Sequence, residues 1–136
     1  MLRQDDFLKS QLVLFAWRHG KPFGGHLASE AIMNVIANRV KLGWGTWIDV
    51  LAEAPLKCAV LEQPADIPHV WSPEFTRLLH IVDGVFDSST KDLSNGALYW
   101  FDSSKPVTNE WFKEKIVGEL AIHKKCADMN SLLFLR

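Results

Sequence analysis

A chain of 136 residues, 48% of them apolar, is long enough to bury one hydrophobic core, so one domain over residues 1–136 is the expectation. Its 15 Lys and Arg stand against 16 Asp and Glu, a formal net charge of −1. That leaves no field to hold a polyanion by phosphate neutralisation and excludes nucleic acid as the first choice of partner.

The chain opens with Asp5 and Asp6 ahead of Phe7, Leu8, Leu12, Phe15 and Ala16 at helical spacing, which predicts a first helix from about residue 5 to Arg18. The run Gln11 to Trp17 within it is far short of the roughly 20 apolar residues that span a bilayer. Neither a membrane partner nor a secretion signal is expected. Gly20-Lys-Pro-Phe-Gly-Gly25 cannot continue a helix, because Pro22 lacks an amide and the glycines raise the entropic cost of order. A second helix follows over Leu27 to Leu42, with Leu27, Ala31, Val35 and Ile36 on one stripe and Gly43 as its stop.

Thr46 caps a short third helix, Trp47 to Ala54, closed by Pro55; the Pro-rich stretch from Pro55 to Trp71 reads as a surface excursion. Ser72-Pro73-Glu74 starts a fourth helix that runs to about Phe86. Asp87 to Asn95 is turn-rich, and residues 97–102 have the aromatic density of a strand. Two more apolar runs, Ile116 to Ile122 and Leu132 to Leu135, are expected to pair with it, although residues 110–120 read equally well as helix. The fold class expected is α+β, mainly helical, with a small antiparallel sheet in the C-terminal half.

The five histidines show no HExxH or HxH spacing, and Cys58 and Cys126 belong to no CxxC pair. No metal site and no cofactor are expected. Two buried, reduced thiols are the plainest reading of the cysteines, with a disulfide open if the protein works outside the cytoplasm.

Three segments then carry a resemblance: Leu14-Phe-Ala-Trp-Arg18 closing the first helix, the loop Gly20 to Gly25, and Val35-Ile-Ala-Asn-Arg-Val40 closing the second. With Gly96-Ala-Leu-Tyr99 and the final Phe134-Leu-Arg136, this order resembles the spore-cortex-lytic type of cell-wall hydrolase family, which has many phage and prophage members. The resemblance implies a lysozyme-like, lytic-transglycosylase-like domain. It also implies cleavage of peptidoglycan glycan strands between N-acetylmuramic acid and N-acetylglucosamine, through one glutamate acting as acid and then base. The partners implied are peptidoglycan glycan strands and, for a virion component, other virion proteins. Such a protein is made in the cytoplasm and acts at the wall after lysis or holin-type release, or from the virion.

The family's glutamate falls on His19 in one register and on Trp17 in the other, so neither supplies a carboxyl group. Two candidates take its place. His19, protonated, is a proton donor with an ordinary pKa near 6.5, and its bland reading is a residue bonded or solvated at a helix end. Glu30 lies early in the second helix, where burial among Trp17, Ile32 and Met33 would raise its pKa; its bland reading is an acid favouring a helix N-terminus. Trp17, Tyr99 and Trp100 are candidates for stacking on sugar faces, against the reading that they fill the core, and Tyr99 and Trp100 should point to opposite faces of their strand. Asn38 is a candidate for substrate contact, against bracing of the helix end together with Arg39. The lost glutamate keeps a rival open, a catalytically inactive relative that serves as a virion or tail component or binds peptidoglycan.

Overall fold

The computed structural model describes residues 4–23, 26–60 and 72–136. The architecture is mainly helical, with a three-stranded antiparallel sheet in the C-terminal half. Helices α1 (Gln4–Gly20), α2 (Leu27–Lys41), α3 (Trp47–Glu53) and α4 (Pro73–Phe86) form the body. Helix α2 is buried on nearly every side, from Ala28 through Ala37, and α1, α3 and α4 pack around it. A helix apolar around most of its circumference must be central, because no face of it gains from water.

Local chemistry sets the ends of these helices. Gly43 takes φ +92°, and the amides of Gly43 and Trp44 close back onto the carbonyls of Val40 and Arg39, satisfying acceptors that α2 would otherwise leave open. Thr46 and Asp49 exchange bonds in a capping box at α3, and the Ser72 hydroxyl accepts from the Phe75 amide at α4. The third helix ends one residue before the expected Ala54, where a 3₁₀ turn, Ala54–Lys57, takes over. The excursion expected from Pro55 to Trp71 therefore begins with this turn, and residues 61–71 lie outside the described residues. Of the loop Gly20 to Gly25, Lys21–Phe23 form a 3₁₀ turn, while residues 24–25 lie outside the described residues.

Gly20 is where α1 meets the start of α2. A Cβ built there would lie 2.1 Å from Ser29 Oγ and 2.6 Å from the Ser29 amide nitrogen. Gly20→Ala gains about 1 kcal/mol of helix propensity against about 3 kcal/mol of overpacking onto backbone. A net loss of about 2 kcal/mol in urea denaturation is the expected result, and an unchanged midpoint would contradict this close approach.

The sheet orders its strands β1-β3-β2, from β1 (Tyr99–Asp102), β2 (Lys125–Met129) and β3 (Leu132–Leu135). Trp100 pairs with Phe134 and Tyr99 with Leu135. Trp100, Leu132 and Phe134 enter the main core with the helices, whereas Tyr99, Phe101 and Leu135 face the other way onto Phe112 and Ile116. Tyr99 and Trp100 thus do lie on opposite faces, as period-two alternation requires.

The second strand corrects one expectation. Residues 116–122 are not a strand: α5 (Glu110–Lys115) and a 3₁₀ turn, Val117–Glu119, occupy that region, and Leu120 and Ile122 are exposed. Asn109 decides this locally, because its side chain accepts from the amides of Trp111 and Phe112 and nucleates the helix. The strand forms instead at 125–129, joined to β3 through Asn130, which takes φ 56° as a tight hairpin requires. Cys58 and Cys126 are both free, and Cys126 is only partly buried.

The turn that feeds β1 is held by one carboxylate. Asp92 accepts from Asn38 Nδ2 at 2.9 Å, from the Ser94 amide and hydroxyl at 2.9 and 2.6 Å, and from the Gly96 amide at 2.8 Å. Burial pushes its pKa up, but the bonds from Ser94, Asn38 and Gly96 outweigh that and bring it below the ordinary value. Asp92→Ala is expected to cost about 2–3 kcal/mol. Its stabilisation is present above the unfolded value near 4 and lost as the pH falls through the lower folded one. A variant whose acid-denaturation curve matches the wild type would contradict this role.

Candidate functional site

Two concavities compete as the site. The larger, ≈ 450 Å³, lies between α1 and α3 and is lined mainly by apolar side chains such as Phe7, Leu14, Ile48 and Leu51, with Arg18 at its edge. It offers surface for packing but no group for chemistry among its described lining. The second, ≈ 340 Å³, lies where the end of α1, the 3₁₀ turn after it, the Cys58–Val60 segment and β1 converge. Its walls include Arg18, His19, Lys21, Cys58, Trp100, Asp102 and Lys105. This cleft is the candidate site, because it joins ionisable groups to an aromatic wall in a partly enclosed space.

His19 is fixed by two rings, with Phe15 at 4.5 Å and Trp100 edge-on at 5.8 Å between centroids. Burial, assisted by the Arg18 charge, lowers its pKa to about 4. At pH 7 it is therefore a neutral imidazole, not the protonated donor that the sequence raises as a candidate. Asp102 accepts the Ser104 amide at 2.9 Å and the Ser104 hydroxyl at 2.6 Å. Burial pushes its pKa up but is outweighed by those bonds and by Ser131, so the carboxyl stays below its usual range and ionised. The Cys58 thiol donates to the Ala54 carbonyl at 3.1 Å, and burial pushes it up to about 12, so it is no thiolate. The cleft can accept protons and hold charge, and none of these three groups combines a labile proton with a pKa near neutrality.

The sequence candidates divide among three places. His19 and Trp100 meet in the cleft. Glu30 does not join them there: one oxygen bonds His26 Nδ1 and the other lies 3.9 Å from the Arg77 guanidinium, toward α4. Its side chain is 12% exposed. Trp17 packs edge-on against Phe75 at 6.4 Å, with Lys21 Nζ 4.9 Å from its ring. Tyr99 lies on the far face of the sheet, near Trp44, Trp111, Phe112 and His123.

Asn38 spends its amide on Asp92, Ser94 and the Ala97 carbonyl, the bracing use. Its neighbour Arg39 is 1% exposed and donates from Nε to the Leu98 carbonyl at 2.8 Å. The rings of Trp44, Tyr99 and Trp100 lie 5.1, 5.4 and 5.4 Å from its guanidinium carbon. Neither Nη1 nor Nη2 has a hydrogen-bond partner among the described residues.

Asp102 and Lys105 join the cleft without having stood out in the sequence. The signal for Asp102 is its place immediately after the aromatic strand, followed by Ser103-Ser104, a pattern that folds a side chain back on its own backbone. Among the described residues, no group of three or more His, Cys, Asp or Glu is placed to hold a metal ion, and no helix is long and apolar enough to cross a membrane.

The chain matches no family model, no curated protein and no solved structure.

Proposed function

We propose that this chain is a lysozyme-like relative of the cell-wall hydrolases that binds peptidoglycan glycan strands in the His19–Trp100 cleft without cleaving them. The observation that carries the reading is the make-up of that cleft, which brings together a His19 imidazole packed between two rings and an Asp102 carboxylate bonded to Ser104, while Glu30 lies elsewhere against His26 and Arg77. Glycosidic cleavage needs an acid holding its proton near working pH. Here His19 has lost its proton well below neutrality and Asp102 is held ionised. Support for the glycan as ligand comes from the ordered motifs from Trp17 to Arg136. It also comes from the position of the cleft, between a helical body and a C-terminal sheet with Trp100 in its wall. Binding without cleavage suits a virion or tail component, whose further partners are other virion proteins.

A second reading, glycan-strand cleavage by a lytic transglycosylase or muramidase mechanism, draws on Glu30. This largely shielded carboxylate is oriented by His26 and Arg77, an arrangement that can position an acid. Incubating purified sacculi with the protein separates the two. Binding alone predicts co-sedimentation with constant turbidity and no soluble muropeptides. A fall in turbidity that disappears in Glu30→Gln would establish the second reading and overturn the first.

A further inference from the structure

Arg39 is a buried charge that neither reading of the cleft uses. It is 1% exposed, and although burial lowers its pKa to about 10 it remains a cation at neutral pH. A buried charge is ordinarily paired with an opposite one. The ionisable neighbours that sense this charge most supply none. Burial pushes the Cys58 thiol up to about 12 and raises the Tyr99 phenol, so both stay neutral. Glu53 adds a smaller attraction, but its carboxylate is joined to Lys57 at 3.2 Å. The Arg39 Nε–H donates to the Leu98 carbonyl at 2.8 Å, whereas the terminal Nη1 and Nη2 have no hydrogen-bond partner among the described residues. Trp44, Tyr99 and Trp100, with ring centres 5.1, 5.4 and 5.4 Å from the guanidinium carbon, attract the cation but are poor acceptors for its N–H groups.

We propose that Arg39 holds a small planar oxyanion of the formate, nitrate or bicarbonate class, gripped by Nη1 and Nη2 among Trp44, Tyr99 and Trp100. The two terminal nitrogens form a rigid fork whose spacing matches two oxygens of one planar anion. A point anion or a single water does not make that match. The rings set the size limit, because their apolar surface disfavours a hydrated or bulky ligand, and a compact anion brings the missing charge with the least polar surface to desolvate. The cleft gives the route, since Trp100 and Cys58 line it and both neighbour Arg39. Bound there, the anion ties α2 to β1 and fixes the Trp100 wall from behind. It does so whatever ligand the cleft takes, so the site does not rest on the glycan reading.

The test titrates the isotope-labelled full chain with sodium formate, sodium nitrate or sodium chloride, holding ionic strength constant with sodium fluoride. The Arg39 Nε–H and the tryptophan indole signals are followed by nuclear magnetic resonance. Formate should shift the Arg39 Nε–H and the Trp44 and Trp100 indoles saturably, half-way at about 1–10 mM. Chloride should act at least about fivefold more weakly. Arg39→Lys, which keeps the charge and loses the fork, should weaken the formate response of the indoles about tenfold, and Arg39→Met should abolish it. Formate should also raise the urea midpoint of the wild type more than that of Arg39→Met. An Arg39 Nε–H signal indifferent to about 100 mM formate and nitrate overturns the proposal, and that result needs no variant to fold. Chloride bound as tightly as formate overturns the planar class. An indole response that survives in Arg39→Met places the anion elsewhere and overturns the site.

Discussion

Lowering the pH from 7 to 4 is expected to cost the fold about 2–3 kcal/mol through His19 alone. The unfolded imidazole takes up its proton near 6.5, whereas the folded one, buried between Phe15 and Trp100 beside Arg18, does so only near 4. The unfolded chain thus binds the proton first as pH falls. The His19 contribution is whole above 6.5 and lost progressively toward 4. At about 1.4 kcal/mol per pH unit the full gap is worth about 3 kcal/mol, reduced somewhat because the ring keeps a partly exposed edge. Urea denaturation at both pH values should show this loss in the wild type. It should shrink by about 2 kcal/mol in His19→Phe, whose ring fits the same aromatic neighbours. Equal losses in the two proteins would mean that His19 is not held neutral and is free to serve as a proton donor in the cleft. The carboxylates Asp92 and Asp102, whose pKa values are lowered by their hydrogen bonds, are the same in both proteins, so what they lose near pH 4 cancels in the difference between wild type and His19→Phe.

Truncating Arg39 is the second large effect. Arg39→Ala removes the side chain whose guanidinium lies among Trp44, Tyr99 and Trp100 and leaves the Leu98 carbonyl without its donor. A loss of about 3–5 kcal/mol is expected. Arg39→Met keeps most of the volume and removes a charge that burial has already lowered to a pKa of about 10. Because an uncompensated buried charge is itself costly, this variant should be at least about 2 kcal/mol more stable than Arg39→Ala. Equal losses in the two variants would show that the charge, not the packing, holds this part of the core.

Much of the helical body is legible in the amino-acid sequence. Thr46, Ser72 and Gly43 act through bonds to their own neighbours, so their signals mean the same thing in any fold. The sheet is half legible. Tyr99 to Phe101 and Leu132 to Leu135 are buried strands rich in apolar residues, whereas Lys125–Met129 is a half-exposed edge whose charges hide its period. Asn130 is the stronger clue, because few residue types accept its positive φ.

The site is less legible for a geometric reason. Spacing places Glu30 on α2 but does not say which neighbour its face meets, and here it meets α4 rather than the cleft. His19 and Trp100 stand 81 positions apart, and their meeting depends on how the sheet docks on α1, which no local pattern encodes. Asn38 and Arg39 are legible as bracing residues, because an amide and a guanidinium at a helix end have backbone carbonyls within reach.

The central claim is that glycan is held at His19 and Trp100 and left intact. It is tested most directly by adding soluble, uncrosslinked glycan fragments to isotope-labelled protein and following amide and indole chemical shifts while the fragments are weighed by mass spectrometry. The expected result is shifts at the Trp100 indole and the Phe101 and Asp102 amides, little change at His26 and Glu30, and fragments of unaltered mass. Shifts centred on Glu30 with shortened or anhydro-ended fragments would contradict it.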